Sequence, residues 1–286
     1  MSDWPKGPTS WMGDLGELIV SIPFTWNLKP VRDYLRQRHL FFDHATVGGP
    51  AIKLSRSKHF KMPFEWPDHV TVDTGDMAGV LERANPLAMR TSTGCTNKCG
   101  YCAVPTIEPR FSELEIHEAR PIVCDNNFLA CSESHRRQVY LLLERDCKGQ
   151  QIDFNQGLDA RLMTKWDAEQ LRRLKAKCRL AYDYETEGDA VRNAVDILRA
   201  AGVPKKDFSF YALVGWKDTP EQAWKRCLEI DSWNMLCCPM WFHELDAMRW
   251  NEVTKKQKAL GWTEEKRLHI MGYFWQHRGT PLEASV

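Results

Sequence analysis

Six short apolar runs recur along the chain from about residue 87, and their spacing constrains the fold more than any other feature. They cover 87–92, 121–124, 151–155, 179–183, 208–214 and 235–241, and from the second onward their starts lie 30, 28, 29 and 27 residues apart. One strand, one helix and two short connections need about thirty residues. The segments between carry helix punctuation. Thr164 with Asp167 resembles a capping box ahead of Leu171 and Leu174. Val191, Val195 and Leu198 share a helical face that Gly202 and Pro204 terminate. Thr219, Pro220 and Glu221 supply a capping hydroxyl, a proline at the first helical position and an acid in the positive first turn. Strict alternation of strand and helix predicts an α/β fold with a parallel sheet. Six units suit an open partial (β/α)6 barrel; a doubly wound sheet is the competing arrangement.

The first 85 residues read differently. Residues 18–24 look like a strand, 30–38 like a helix with Pro30 at its first position, and 44–52 like a second strand containing Gly48 and Gly49. A Pro-, Lys- and aromatic-rich stretch, 55–67, has loop character. The expected organisation is therefore a βαβ-like appendage over 1–85, the barrel over 86–243 and a helical extension over 244–286. In that extension Thr263 is placed to cap a helix over 264–277, with Leu268, Met271 and Trp275 on one side.

Charge and hydropathy exclude whole classes of function. The 286 residues include 39 Lys and Arg against 38 Asp and Glu, a net charge of +1, so binding of a polyanion by bulk charge is excluded. No apolar run approaches the ~18 residues of a spanning helix, and the start lacks the apolar stretch of a secretory signal. A cytoplasmic protein without membrane contact is the expectation.

In that compartment the ten cysteines are reduced core residues or metal ligands rather than disulfides. Seven are scattered; Cys95, Cys99 and Cys102 form a C-x3-C-x2-C segment with Tyr101 just before the last. Three thiolates on one loop can hold three irons of a 4Fe–4S cluster and leave the fourth iron open. Structural zinc and three core cysteines are the alternatives. Zinc wants a fourth ligand, and the nearest downstream histidine is His117, fifteen residues past Cys102. No C-x2-C pairing among the rest suggests a second cluster, and Cys237 and Cys238 are adjacent and point apart on a strand.

The triplet, the aromatic before its last cysteine and the strand period that follows resemble the radical S-adenosylmethionine (radical SAM) superfamily over about residues 87–242. More loosely, the chain resembles small phage and bacterial radical SAM proteins, some of them candidates for nucleobase modification. The resemblance implies a partial barrel whose cluster binds the amino and carboxylate groups of SAM. Reductive cleavage then gives methionine and a 5′-deoxyadenosyl radical that abstracts hydrogen from an unreactive C–H bond. It further implies a one-electron donor of the flavodoxin or ferredoxin type. Isomerase, lyase and transferase outcomes are all compatible.

Strand C-termini form the active sites of β/α barrels, so polar residues there are the candidates. After the second strand, where the superfamily binds the methionine amino group, stand Asp125, Asn126 and Asn127; the superfamily's frequent Gly-Gly-Glu is missing, and a simple turn is the alternative. The third strand leads into Asn155, Gln156, Asp159 and Arg161. Arg161 can pair with the carboxylate of SAM or substrate, or merely with Asp159. By the same resemblance Glu185 faces the ribose, Val214 and Gly215 pack on adenine, and the backbone at Tyr101 meets the base edge. Trp216 and Trp241 either line the pocket or pack.

The appendage, with Phe24-Thr25-Trp26 and Val47-Gly48-Gly49-Pro50, resembles a truncated cobalamin-binding domain, but Asp-x-His-x-x-Gly is absent and no cobalamin is expected. Within the enzyme reading, a nucleobase or nucleotide-linked substrate leads. Its grounds are twelve tryptophans for stacking and a basic stretch, Lys53, Arg56, Lys58, His59 and Lys61, for phosphate. A small metabolite or peptide substrate is the alternative, and a non-catalytic iron–sulfur protein that senses redox state or binds a partner is a further one.

Overall fold

The computed structural model describes residues 7–57, 60 and 62–276. Lys58, His59, Lys61 and His277, named above, lie outside them. The chain divides into two compact units. The first takes the residues up to Ala88 with 97–109 and 243–250; the second takes 89–96, 110–242 and the chain from Asn251 onward.

The first unit holds strands β1 (Thr9–Met12), β2 (Glu17–Ser21), β3 (His44–Gly48) and β4 (Val70–Val72) in that order. β1 runs antiparallel to β2, whereas β2, β3 and β4 are parallel. Helices α1 (Leu28–Gln37), α2 (Pro50–Ser55), α3 (Val80–Ala84) and the later α4 (Val104–Ile107) complete it. The expected second strand over 44–52 is too long. It stops at Gly48, because Gly49 turns the backbone to φ +92° beside Ser21 and Ile22, and Pro50 opens a helix. α1 likewise begins earlier than expected, following a tight turn at Thr25–Asn27 that leaves Pro30 in the first turn rather than at its first position.

The six periodic runs form β5 (Ala88–Met89), which begins at the boundary, and, within the second unit, β8 (Ile122–Val123), β9 (Asp153–Leu158), β10 (Lys177–Ala181), β11 (Phe208–Val214) and β12 (Leu236–Trp241). Between the first two lie the short β6 (Ser92–Thr93) and β7 (Ser112–Glu113), an antiparallel pair. The six-stranded sheet runs β5-β8-β9-β10-β11-β12, and each of the pairs from β8 to β12 is parallel. Strand order follows chain order without reversal, so the doubly wound alternative, which requires a switch point, is not adopted.

Between these strands run α5 (Glu133–Asp146), α6 (Lys165–Arg173), α7 (Gly188–Ala200) and α8 (Pro220–Ser232); α9 (Lys255–Ala259) and α10 (Glu264–Gln276) follow. The Thr164 and Thr219 hydroxyls cap α6 and α8, and Gln222 returns a bond to the Thr219 N–H. Val191, Val195 and Leu198 of α7 are buried together with Phe210, Ala212 and Val214 of β11. On α10 the buried face is the wrong one for the sequence reading. Ile270 and Phe274 enter the core, whereas Leu268 and Trp275 are 55 % and 38 % exposed. No helix among the described residues is long and apolar enough to cross a membrane.

Candidate functional site

The cysteine triplet lies on the loop that leaves β6 and returns at β7. Gly94 opens the loop at φ +69°, and a Cβ there would stand 2.2 Å from the Arg110 carbonyl oxygen, so only glycine fits the crossing. Cys95, Cys99 and Cys102 are half-buried, whereas each of the other seven cysteines is buried. The Cys102 N–H donates to the Cys99 carbonyl at 3.1 Å, and its Sγ accepts the Val104 N–H at 3.5 Å. Tyr101 is half-buried in the same turn. Lys53, expected to meet phosphate, is turned inward instead. Its Nζ pairs with Asp76 and reaches the Ile107 carbonyl at 3.4 Å, at the end of the helix that follows Cys102.

Asp125 is buried and uses both carboxylate oxygens. Oδ1 accepts the Thr91 N–H at 2.6 Å and the Ser92 N–H at 3.0 Å, and Oδ2 accepts the Thr91 hydroxyl. Burial raises its pKa, opposed by those same hydrogen bonds. The expected ammonium ligand is thus a positioning residue, tying the chain entering the cysteine loop to the second strand. Asn126 is half-exposed. Asn127 is buried, donates from Nδ2 to Asp159 at 3.4 Å and leaves its Oδ1 without a donor. A buried acceptor in that condition is costly unless something fills it.

The remaining expected ligands divide in the same manner. Gln156 is exposed within β9, which continues to Leu158 rather than ending at Asn155. Arg161 closes a fork on Asp159, Nε to Oδ1 at 2.7 Å and Nη2 to Oδ2 at 2.8 Å, which is the surface-pair alternative. Glu185 is exposed and pairs with Lys225 at 3.3 Å, beside a cavity of ≈ 540 Å³ that Tyr182 and Glu229 also line. The inward carboxylate is Glu187, two residues on. It accepts the Asp183 and Tyr184 N–H groups at 3.2 and 3.3 Å, and burial raises its pKa.

The Val214 side chain is fully buried among the helices, so only its backbone remains at the strand end. Gly215 cannot carry a side chain, because a Cβ would lie 2.5 Å from the Trp241 ring. Its N–H donates to Asp218 and its carbonyl accepts from Gln257, both at 2.8 Å. Trp241 packs edge-on against Trp262 in the core, 5.0 Å between centroids, and Trp216 meets Tyr184 edge-on at 5.3 Å.

Together these bonds form a belt along the C-terminal strand ends. Asn127 reaches Asp159, Asp159 holds Arg161, Asp183 receives the Leu213 N–H at 3.1 Å, and Gln257 bridges Gly215 and Phe242. Sequence reasoning found where the polar residues gather and missed that most of them serve the neighbouring strand. It also missed Asp153, Arg179 and Tyr211. Their signal was present: two charged side chains and a phenol inside parallel strands, which are ordinarily apolar on both faces.

Among the described residues no three His, Cys, Asp or Glu side chains are placed to share one metal ion. A four-iron cube is wider than one ion and its ligands stand further apart. Three half-buried thiols on a glycine-hinged loop, one of them accepting an N–H, are donors of the chemistry that an iron–sulfur cluster takes. No family model matches the chain, and no curated protein matches it.

Proposed function

We propose that the chain is a radical SAM enzyme built on a partial (β/α)6 barrel, acting in the cytoplasm on a C–H position of an organic substrate, with a nucleobase or nucleotide-linked group as the leading class. The observation that carries the reading is the division of the cysteines: the three in C-x3-C-x2-C spacing are half-buried on one loop, and the seven others are buried. Cys95, Cys99 and Cys102 would hold the 4Fe–4S cluster. With SAM bound, such a cluster supplies the one-electron cleavage from which hydrogen abstraction follows, given an external reductant of the flavodoxin or ferredoxin type.

The chain's own residues position and exclude. Asp125 fixes Thr91 and Ser92, and Gly94 permits the crossing under Arg110, so the loop leaves the sheet in one direction. Asn127 Oδ1, buried without a donor, is an acceptor of the kind that an ammonium group satisfies. The bonds from Asn127 to Asp159 and from Gln257 to Gly215 and Phe242 cross-link the strand ends, which suits a site that must hold a reactive species away from water.

The test is anaerobic reconstitution with iron and sulfide, followed by SAM and dithionite. Formation of 5′-deoxyadenosine is expected, and Cys99→Ala should abolish both the brown absorbance and the cleavage. An intact cluster with bound SAM that yields no 5′-deoxyadenosine would overturn the proposal and leave a non-catalytic iron–sulfur protein.

A further inference from the structure

The helices of the second unit pack against one face of the six-stranded sheet. On β11 the residues Phe208, Phe210, Ala212 and Val214 lie in the helix-side core, which leaves Ser209, Tyr211 and Leu213 on the other face. The parallel register carries that assignment across the sheet. Arg179 stands opposite Ser209 and Ala181 opposite Tyr211; Gly157 stands opposite Arg179, and Asp153 opposite Lys177. On the other side, Cys238 and Met240 stand opposite Tyr211 and Leu213.

A barrel interior is normally filled with branched apolar side chains. This face is not. Its floor is an ion pair, Arg179 with Asp153, whose side chains are 15 % and 11 % exposed. Toward the strand C-termini the face opens. Gly157, Ala181, Tyr211 and Leu213 are half-buried and Met240 is exposed. A Cβ added at Gly157 would touch Ala181 at 3.4 Å and the Tyr211 ring at 3.9 Å, so Gly157 and Ala181 keep the side chains above the charged floor short. Burying a charge pair there stabilises less than apolar residues of the same volume would.

The guanidinium of Arg179 is only partly used. Its Nη1 donates to Asp153 Oδ1 and, at 3.2 Å, to the Phe154 carbonyl; Nη2 donates to Asp153 Oδ2 at 3.1 Å. Of five N–H groups, the Nε–H and one Nη2–H remain, and these two form the side-on fork that matches a pair of oxygens on a carboxylate or phosphate.

We infer that this open face is a substrate slot in which the side-on fork of Arg179 binds the carboxylate or phosphate of an organic ligand, with the ligand's apolar body lying along Ala181, Tyr211, Leu213 and Met240. Asp153 orients the guanidinium and competes with the ligand for its charge. The inference rests on the proposed function only for the fate of the ligand. Its test reads binding alone, so either can fail without the other.

The experiment measures calorimetric binding to the full chain, as purified and after cluster reconstitution, with paired probes. One pair is a nucleoside 5′-monophosphate against its nucleoside; the other is phenylacetate against phenylacetamide. At least one anion is expected to bind about tenfold more tightly than its neutral partner, and the preferred pair identifies phosphate or carboxylate. Arg179→Gln should remove that preference. Asp153→Asn should increase it, because a competing carboxylate is gone, even if the variant is less stable. Equal binding within both pairs, no binding by either anion, or a preference lowered by Asp153→Asn as by Arg179→Gln would overturn the inference and leave the pair a structural one.

Discussion

The loop that carries Cys95, Cys99 and Cys102 and the sheet that carries Cys124, Cys178, Cys237 and Cys238 place one side chain under opposite conditions. On the sheet, burial pushes the Cys124 and Cys178 thiols up to about 12. Cys237 is pushed well above its ordinary value by a hydrogen bond with Cys227 and by burial. Cys131, buried just before α5, is likewise raised to about 12 by burial. A thiol so placed stays neutral and behaves as a small apolar side chain. On the loop the sulfurs are half-buried, and the Cys102 Sγ accepts the Val104 N–H at 3.5 Å. The proposed ligating sulfurs are therefore those of residues 95–102, and the other seven cysteines are buried in packing.

The comparison breaks most readily under alkylation, where the largest effect is expected. Near neutral pH a thiol titrating near 12 carries about a thousandfold less thiolate than an ordinary cysteine, and burial slows the reagent further. Iodoacetamide on the native chain should add carbamidomethyl groups to Cys95, Cys99 and Cys102 before any other cysteine, as read by peptide mass spectrometry. Labelling of Cys124 or Cys131 at a similar rate would dissolve the distinction.

A second, smaller effect tests what joins loop to sheet. Asp125→Ala leaves the Thr91 and Ser92 N–H groups and the Thr91 hydroxyl without their shared acceptor. Each buried donor left unpaired costs about 1–3 kcal/mol, so a loss of about 3 kcal/mol in urea unfolding is expected. Asp125→Asn should recover part of it, since an amide oxygen still accepts the two backbone donors. The labelling rates of the loop cysteines should also change in Asp125→Ala. Unchanged stability in that variant would mean that the carboxylate does not hold the loop.

The parts that the sequence made legible are those set by local repetition. The thirty-residue period located the five later strands, and capping hydroxyls at Thr164 and Thr219 marked where helices begin. The cysteine loop was legible because its signal is a spacing. Side-chain commitments were not, because they depend on the neighbouring strand. Asp125 and Arg161 read as ligands until Thr91 and Asp159 came beside them, and Gly215 read as a cofactor contact until the Trp241 ring occupied the space of its missing side chain. For the opposite reason the stripe of Leu268, Met271 and Trp275 on α10 misled at its two ends, Met271 alone of the three packing on the core. Its periodicity is helical, but the core took the adjacent face with Ile270 and Phe274.

The burial penalty that keeps the sheet thiols neutral acts on a carboxylate at Glu187, and there it gives the smallest and most discriminating prediction. Burial raises the Glu187 carboxyl above its ordinary value, the Asp183 charge adds to the shift, and the N–H groups of Asp183 and Tyr184 with Arg161 oppose it. The folded chain therefore takes up this proton at higher pH than the unfolded chain does. Between the two pKa values the native state binds more protons, so stability rises as pH falls through the folded value and the gain is complete below the unfolded one. At neutral pH the charge is a net burden. Glu187→Gln removes it and keeps an oxygen for the same two N–H donors. The variant should be more stable than the parent at neutral pH by less than about 1 kcal/mol, and the difference should shrink in mildly acid solution. Urea unfolding at both conditions reads it. A variant less stable at neutral pH would mean that the charge is held by Arg161, 3.7 Å away, more strongly than burial opposes it, and that the interior of this sheet does not treat carboxylates as it treats thiols.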